Sequence, residues 1–194
     1  MQIISPYKNV KQTTNISVEP YHLNSDIRNN MFNILKKKVE KKCNSYGYID
    51  EVHKIMEYGD GQMAGENLSG NVIYNIIFHC RLCLPVVNTT IIGQVKVISS
   101  EVIVCINGPI MIFVTKDNID TNIWDNNDGY VDKKSKEKLV VGSYIKITIL
   151  NIQINQGDSI IKSMGLINDI PTTDEITKYY GPIITETNDN SFIM

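Results

Sequence analysis

Arginine is nearly missing from this chain: Arg28 and Arg81 stand against 17 lysines, and the acidic residues leave a formal net charge of -2. A strongly basic domain that holds phosphates by bulk electrostatics is thereby excluded, so any nucleic-acid contact has to be local. Long apolar runs are missing too. The longest stretches, such as Val72 to Phe78 and Ile110 to Val114, fall far below the roughly 18 residues that a membrane span requires, and no membrane partner is expected. The opening residues, Met1 to Lys8, show no basic stretch followed by an apolar run and a cleavage site, which leads us to expect an intracellular protein. Cysteine is sparse: Cys43, Cys80, Cys83 and Cys105 form no dense framework, and this suits reduced thiols better than disulfides.

The motifs of several chemistries are absent as well. There is no Walker loop, nucleophile elbow, His-Glu-x-x-His or pair of polymerase aspartates, so no catalytic residue and no cofactor are expected. Cys80-Arg-Leu-Cys83, with His79 beside it, resembles half of a zinc knuckle or a redox pair. A structural zinc needs four ligands, and Cys43, Cys105, His22 and His53 do not stand at knuckle spacing. The pair also falls on a strand, where residues three apart point to opposite faces, so buried, metal-free thiols are the expectation.

What the chain does have is β-forming sequence in two patterns. Thr13 to Val18 alternates and ends at Glu19-Pro20, giving a first strand. Asn24, Ser25 or Asp26 can cap a helix in which Ile27, Met31, Leu35, Val39 and Cys43 recur every four residues, running to about Lys42. Lys36, Lys37, Lys38, Lys41 and Lys42 read as its solvated face and a favourable C-terminal end for the helix dipole. Tyr46 to Met56 alternates again, Gly59-Asp60-Gly61 interrupts it with a loop expected to be mobile as far as Gly70, and Asn71 to Leu84 forms a strand that Pro85 stops. The first unit is thus β-α-β-β.

After Pro85 come short strands with tight turns: Thr89 to Ile98, Glu101 to Ile106, and Ile110 to Val114 behind an Asn107-Gly108-Pro109 turn. Val141 to Ile154 and Ser159 to Ile167 follow, split by Gln156-Gly157-Asp158. Five strands with a long connection between the third and fourth is the order of an OB-like barrel, so the fold class is α+β. The connection, 117–138, holds the lone tryptophan, Trp124, expected to anchor it to the barrel. Thr172 to Tyr180 can cap and form one or two helical turns, and the residues beyond Gly181-Pro182 read as a tail. For single-stranded RNA, a barrel uses aromatic and basic side chains on its face and rims; the candidates are Lys96, Phe113, Lys116, Tyr144, Lys146 and Lys162. Phe113 lies in an apolar run and reads as core.

This layout resembles the stalk subunit of archaeal and eukaryotic RNA polymerases, the family of RNA polymerase II's seventh subunit and its archaeal counterpart. Pro85 followed by Gly93-Gln94-Val95 matches the family's junction, and Gly108-Pro109 with Ile110 to Lys116 behind it matches the family's Gly-Pro run. Tyr46-Gly47-Tyr48-Ile49, the Gly-rich tip from Gly59 to Gly70, and Ile160 to Gly165 extend the likeness over about 13–170. The resemblance implies a truncated RNP-like tip domain over 1–85, an OB-fold RNA-binding domain over 86–170 and a C-terminal extension over 171–194. It implies an accessory subunit that does not itself catalyse nucleotide addition. Its partners would be the polymerase core subunits, a smaller stalk subunit and nascent RNA, with Gly59, Gly61, Met63 and Gly65 at the docking contact. The 117–138 connection and the residues past Pro171 depart from the family pattern. Abundant Ile, Asn and Lys suggest an AT-rich genome; with the odd connection this favours a large DNA virus, placing the protein in the virion and host cytoplasm, with a nucleus as the alternative. A free single-strand RNA-binding OB protein is the competing reading, and it gives no reason for a docking unit in front of the barrel.

Overall fold

The computed structural model describes residues 3–63, 69–119, 123–125, 130–133 and 136–181. The elements run β1 (Tyr7–Val18), α1 (Ile27–Val39), β2 (Lys42–Asn44), β3 (Gly47–Tyr58), β4 (Gln62–Met63), β5 (Val72–Cys83), β6 (Thr90–Ile98), β7 (Val102–Asn107) and β8 (Ile110–Thr115). After them come β9 (Trp124–Asp125), β10 (Val131–Asp132), β11 (Tyr144–Gln153), β12 (Ile161–Ile167) and α2 (Thr173–Tyr180). The architecture is α+β, a mixed layer of sheet and helix followed by a closed five-stranded barrel.

In the first half the strands lie in the order β1-β5-β3-β2, all antiparallel, with β4 pairing β5 beyond the end of β3. One turn-to-turn stripe of α1 meets this sheet because Met31 and Leu35 stand four apart; both are buried against a core that includes Ile16, Val18, Ile49, Val52, Ile76 and Phe78. Each such buried side chain contributes about 1.5–3 kcal/mol, so Leu35→Ala would remove much of what holds the helix down. The helix stops earlier than its periodicity suggests. Glu40 is extended and Lys41 takes φ 60°, so Cys43 leaves the helical stripe for β2. Lys42 then folds back, its Nζ donating to the carbonyls of Lys37 and Lys38 at 3.2 and 3.3 Å, which satisfies carbonyls at the helix end. Asn24 Oδ1 accepts from Asp26 N at 3.0 Å, and no side chain caps the first turn of α1.

Strand β1 begins at Tyr7, six residues before the expected start, and pairs with β5 from Tyr7↔Cys83 to Val18↔Val72. Its even-numbered positions from Val10 to Val18 face α1, but Gln12 and Thr14 break the apolar alternation, which hides the strand in the sequence. Strand β3 carries three register shifts against β5, at Ile49/Glu51, Val52/Lys54 and Ile55/Glu57. An extra residue every third position bends a strand and sharpens its twist, and here it curls the sheet. The segment after Gly59 is not wholly a loop, since Gln62 and Met63 pair with Ile73 and Val72. Gly65 and its neighbours at 64–68 lie outside the described residues.

In the second half β6, β7 and β8 form a meander, β11 pairs antiparallel with both β6 and β12, and β12 closes the barrel by a parallel pairing with β8. Strict alternation fills the interior: Ile103, Cys105, Ile110, Ile112, Val114, Ile145, Ile147, Ile149 and Ile161 are fully buried. Isoleucine suits this because a β-branched chain has few rotamers to lose on a pleated surface. Gly93 and Gly165 also point inward; a Cβ at Gly165 would overlap the methyl groups of Ile147 and Ile112. The small residues thus leave room for the large ones across a narrow barrel.

The two halves meet at a buried joint. Gly108 follows β7 at φ 54°, and a Cβ there would collide with the hydroxyl of Tyr7, which accounts physically for the glycine of the Gly-Pro pair. Burial raises the Tyr7 hydroxyl above its ordinary pKa, and Cys83, hydrogen-bonded to it, is pushed up to about 12. Arg81 stacks over the Tyr7 ring at 4.2 Å. On the other side, Cys43 N donates to Asp158 O at 2.7 Å and accepts through its carbonyl from Gly157 N at 2.9 Å, tying β2 to the turn between β11 and β12.

Cys80 and Cys83 illustrate how one strand serves both halves. Cys80 is buried in the core under α1 and Cys83 in the core shared with the barrel. Their side chains therefore leave β5 on opposite faces, as the alternation of a strand requires. Burial pushes Cys80 to about 11 and Cys105 to about 12. Among the described residues, no three His, Cys, Asp or Glu side chains come together as a metal site, and no helix is long and apolar enough to cross a membrane.

Candidate nucleic-acid interface

The outside of the barrel carries side chains from alternate positions, and the strand register lines them up. Val97 pairs with Val104, Val104 with Phe113, Phe113 with Met164 and Met164 with Asn151, so one transverse row crosses all five strands. A second row runs Gln94, Ile106, Met111, Lys162 and Gln153. Neighbours across a pleated sheet share a face, so each row is a continuous strip of surface. The first row is apolar from Val97 to Met164 and ends at Asn151; the second has Ile106 and Met111 at its centre and polar ends.

Phe113 is therefore not core, as its apolar surroundings suggested. The buried positions of β8 are Ile110, Ile112 and Val114, and Phe113 stands half-buried on the outer face between them. There it lines a shallow recess of about 160 Å³ with Lys162, Met164, Asn151 and Gln153. An exposed ring edge, a flexible thioether, two amides and an ammonium group offer what an unstacked base and its phosphate need: an apolar face, hydrogen-bonding edges and a cation. The sequence named Phe113 and Lys162 for this surface but missed Met164, Asn151 and Gln153. The signal that could have found them is the parallel register of β12 against β8, a tertiary pairing invisible in either strand alone.

The remaining candidates are dispersed. Lys96 is exposed on β6 at the far end of the first row, and Lys116 is exposed just beyond β8. Tyr144 and Lys146 sit side by side on the outside of β11, but α2 lies over them. Lys146 is only 16% exposed and forms ion pairs with Glu175 at 2.9 Å and Asp169 at 3.8 Å. The Tyr144 ring packs against Tyr180 with centroids 5.5 Å apart and planes tilted by 51°. These two side chains thus hold the C-terminal helix.

That helix is built for the purpose. Thr172 and Glu175 form a reciprocal capping box, Glu175 N donating to Thr172 Oγ1 at 3.4 Å and Thr172 N to Glu175 Oε2 at 2.8 Å. Lys146 and the cap hold the Glu175 carboxyl below its ordinary pKa. At the other end Asn107 Nδ2 donates to Ile92 O at 2.6 Å and to the Tyr179 hydroxyl at 2.9 Å, and the Tyr180 hydroxyl donates to the same Ile92 carbonyl at 2.5 Å. Burial drives the Tyr179 hydroxyl up to about 12. Asn107 is the last residue of β7, directly before Gly108, so α2 is fastened to the same joint that receives Tyr7.

The connection between β8 and β11 is anchored as its tryptophan suggested. Trp124 is buried and its Nε1 donates to Asn168 O at 2.9 Å; Tyr130 and Leu139 are buried beside it in the barrel core.

The far end of the N-terminal sheet, about 40 Å along the strands from the joint, exposes Tyr58, Met63 and Ile73. Gly59 N donates to Asn75 O at 2.9 Å, and a Cβ at Gly61 would overlap Val72 and Tyr74. The glycine at 61 is thus explained by close packing on β5, while Met63 projects from β4.

The fold is thus α+β, an open antiparallel sheet with a helix on one face joined to a closed five-stranded barrel that carries an apolar outer platform. No protein-family model matches the chain. It is 31% identical over 176 residues to the Acanthamoeba polyphaga mimivirus protein "Putative DNA-directed RNA polymerase subunit L376", covering 90% of this chain and 88% of that one. The chain belongs to this family of viral DNA-directed RNA polymerase subunits.

Proposed function

We propose that the protein is a non-catalytic stalk subunit of a multisubunit viral RNA polymerase. In this reading residues 1–85 dock on the polymerase core, 86–170 form an OB-fold that contacts nascent single-stranded RNA, and 171–194 are an extension whose helix braces the barrel. The observation that carries it is the likeness to a viral polymerase subunit along nearly the whole chain, joined to a barrel whose five-strand order and outer platform suit single-stranded nucleic acid.

Docking is assigned to the far end of the sheet. Met63 is the leading contact, with Tyr58 on the same face and Ile73 on the opposite face of this sheet end; Gly59 and Gly61 shape the β3–β4 turn. RNA is assigned to Phe113, Lys162, Lys96 and Lys116, whereas Tyr144 and Lys146 act through α2. The platform has few cations, so affinity is weak, micromolar or poorer, with little sequence preference and a shallow salt dependence. Transcription by such an enzyme places the subunit in the virion and the host cytoplasm.

Affinity purification of the tagged chain from infected cells tests the assignment: the largest polymerase subunits should accompany it, and Met63→Asp should reduce their recovery. Recovery of RNA without any polymerase subunit would favour the free RNA-binding reading.

A further inference from the structure

The first apolar row does not stop at β6. The chain that returns from the β8–β11 connection runs beside β6 before it becomes β11, because Gly142 N donates to Val95 O at 2.8 Å and Val95 N to Ser143 O at 2.9 Å. The return arm reaches this anchor through a tight turn, Ser143 N donating back to Val140 O at 3.1 Å, so Val140 and Val141 stand on a turn fastened to β6 at Val95. The arm turns Leu139 into the core and leaves Val140 and Val141 outside, 55% and 62% exposed, while Val97, two residues past the anchor on β6, is 50% exposed. Exposed valines thus stand on both chain segments that meet at Val95, apolar surface of the kind that marks a contact site.

The arm is held firmly from behind. Leu139 N donates to Tyr130 O at 2.8 Å, and the Tyr130 hydroxyl reaches Ser100 O at 3.4 Å. Its exposed charged residues are Lys136, Glu137 and Lys138, and Lys96 is exposed on β6 next to the Val95 anchor. Asp132, Lys133 and Glu137 of the same segment each have a partner, so Lys136, Lys138 and Lys96 outnumber Glu137 on the exposed surface. An apolar ledge with three lysines is complementary to a polyanion that also carries apolar rings.

We infer that the return arm, through Lys138, Val140 and Val141 with Lys96 and Val97, is a second contact for single-stranded RNA, continuing the path that begins at the Phe113–Met164 recess. The inference rests on the RNA-binding reading above and adds to it a direction and a length: RNA crosses β12, β8, β7 and β6 and leaves over the arm. The lysines hold phosphates, and the valines cover the faces of one or two bases.

The test uses the full chain and labelled oligouridylates of about 6 and about 12 nucleotides, lengths within the ~4–16 nucleotide range of OB-type sites. Phe113→Ala should weaken both. A triple variant, Lys138→Gln, Val140→Ser and Val141→Ser, should weaken the longer RNA roughly fivefold or more and leave the shorter one unchanged, since stacking of even one base is a sizeable share of such binding. These substitutions replace exposed side chains, and an unaltered thermal melt verifies the fold. If the triple variant binds the longer RNA as the natural chain does while Phe113→Ala weakens it, the arm plays no part and the recess stands alone. Loss of polymerase co-purification with RNA binding intact would make the arm a protein interface and overturn the inference. No binding of either RNA by the natural chain would overturn both the inference and the RNA-contact reading.

Discussion

In the barrel every strand has two neighbours, whereas in the N-terminal sheet β1 pairs with β5 alone along twelve residues. The barrel hides its apolar side chains inside a tube. The sheet needs α1 for one face and leaves polar residues such as Lys11, Asn75 and Arg81 on the other. Closure removes edges, and an unclosed sheet keeps a row of backbone donors and acceptors at its rim. The barrel thereby offers a continuous outer face, whereas the open half keeps a free edge and an exposed end. The joint of Tyr7, Cys83, Asn107 and Gly108 decides whether the halves also melt as one.

The largest effect should come from the barrel core. Ile147→Ala removes a fully buried side chain facing Gly93 and Gly165, at a cost of about 2–5 kcal/mol in denaturant unfolding. If the joint couples the halves, Cys80 under α1 and Cys105 in the barrel should become reactive to a thiol reagent at one denaturant concentration. Separate exposure would show two independent units. Without denaturant the buried thiols of Cys80, Cys83 and Cys105, with pKa values raised to about 11 or 12, should stay unmodified at neutral pH.

A sharper probe lies at the joint. Gly108→Ala should destabilise by about 1–3 kcal/mol, combining strain at positive φ with the collision against Tyr7. Tyr7→Phe should recover part of that loss in the double variant, leaving only the φ strain. Additive losses would mean that the hydroxyl does not sit over Gly108 in solution.

Smaller still, Thr172→Ala removes the reciprocal cap of α2 and should cost about 1 kcal/mol. The lowest rung is the Lys146–Glu175 pair. Because the folded-state pKa of Glu175 is depressed, its contribution is present above the unfolded value and is lost as pH falls through the folded one. The helix should therefore loosen on acidification within and below the ordinary carboxylate range, and Glu175→Gln should flatten that dependence. The carboxyl is largely solvated, so a few tenths of a kcal/mol is the expected scale. Measuring the melting temperature against pH for both chains checks it.

The barrel was largely legible in the sequence because alternation there is a one-strand property. Isoleucines at every second position and the turns at Asn107-Gly108-Pro109 and Gln156-Gly157 suffice to order its strands. The sheet was less so. Half of β1 is polar, the three bulges of β3 interrupt its period, and Cys43 continues the helical spacing of α1 although the backbone has already turned at Lys41. The site was legible only in pieces. Composition picks out aromatic and basic side chains on strands, but what lies outside Tyr144 and Lys146 depends on where α2 comes to rest. Thr172 and Glu175 announce a helix start; no local pattern says which surface that helix will cover.

Trp124 gives the molecule an optical consequence. It is the only indole, sealed from water and donating its N–H to Asn168 O at 2.9 Å, on the connection whose return arm is assigned to RNA. Its emission should lie toward the blue in the native protein and move red as the connection lifts from the barrel. Excited at wavelengths beyond tyrosine absorption, which bypasses the ten tyrosines, this indole is an unlabelled fluorophore at a single site and reports on that one segment.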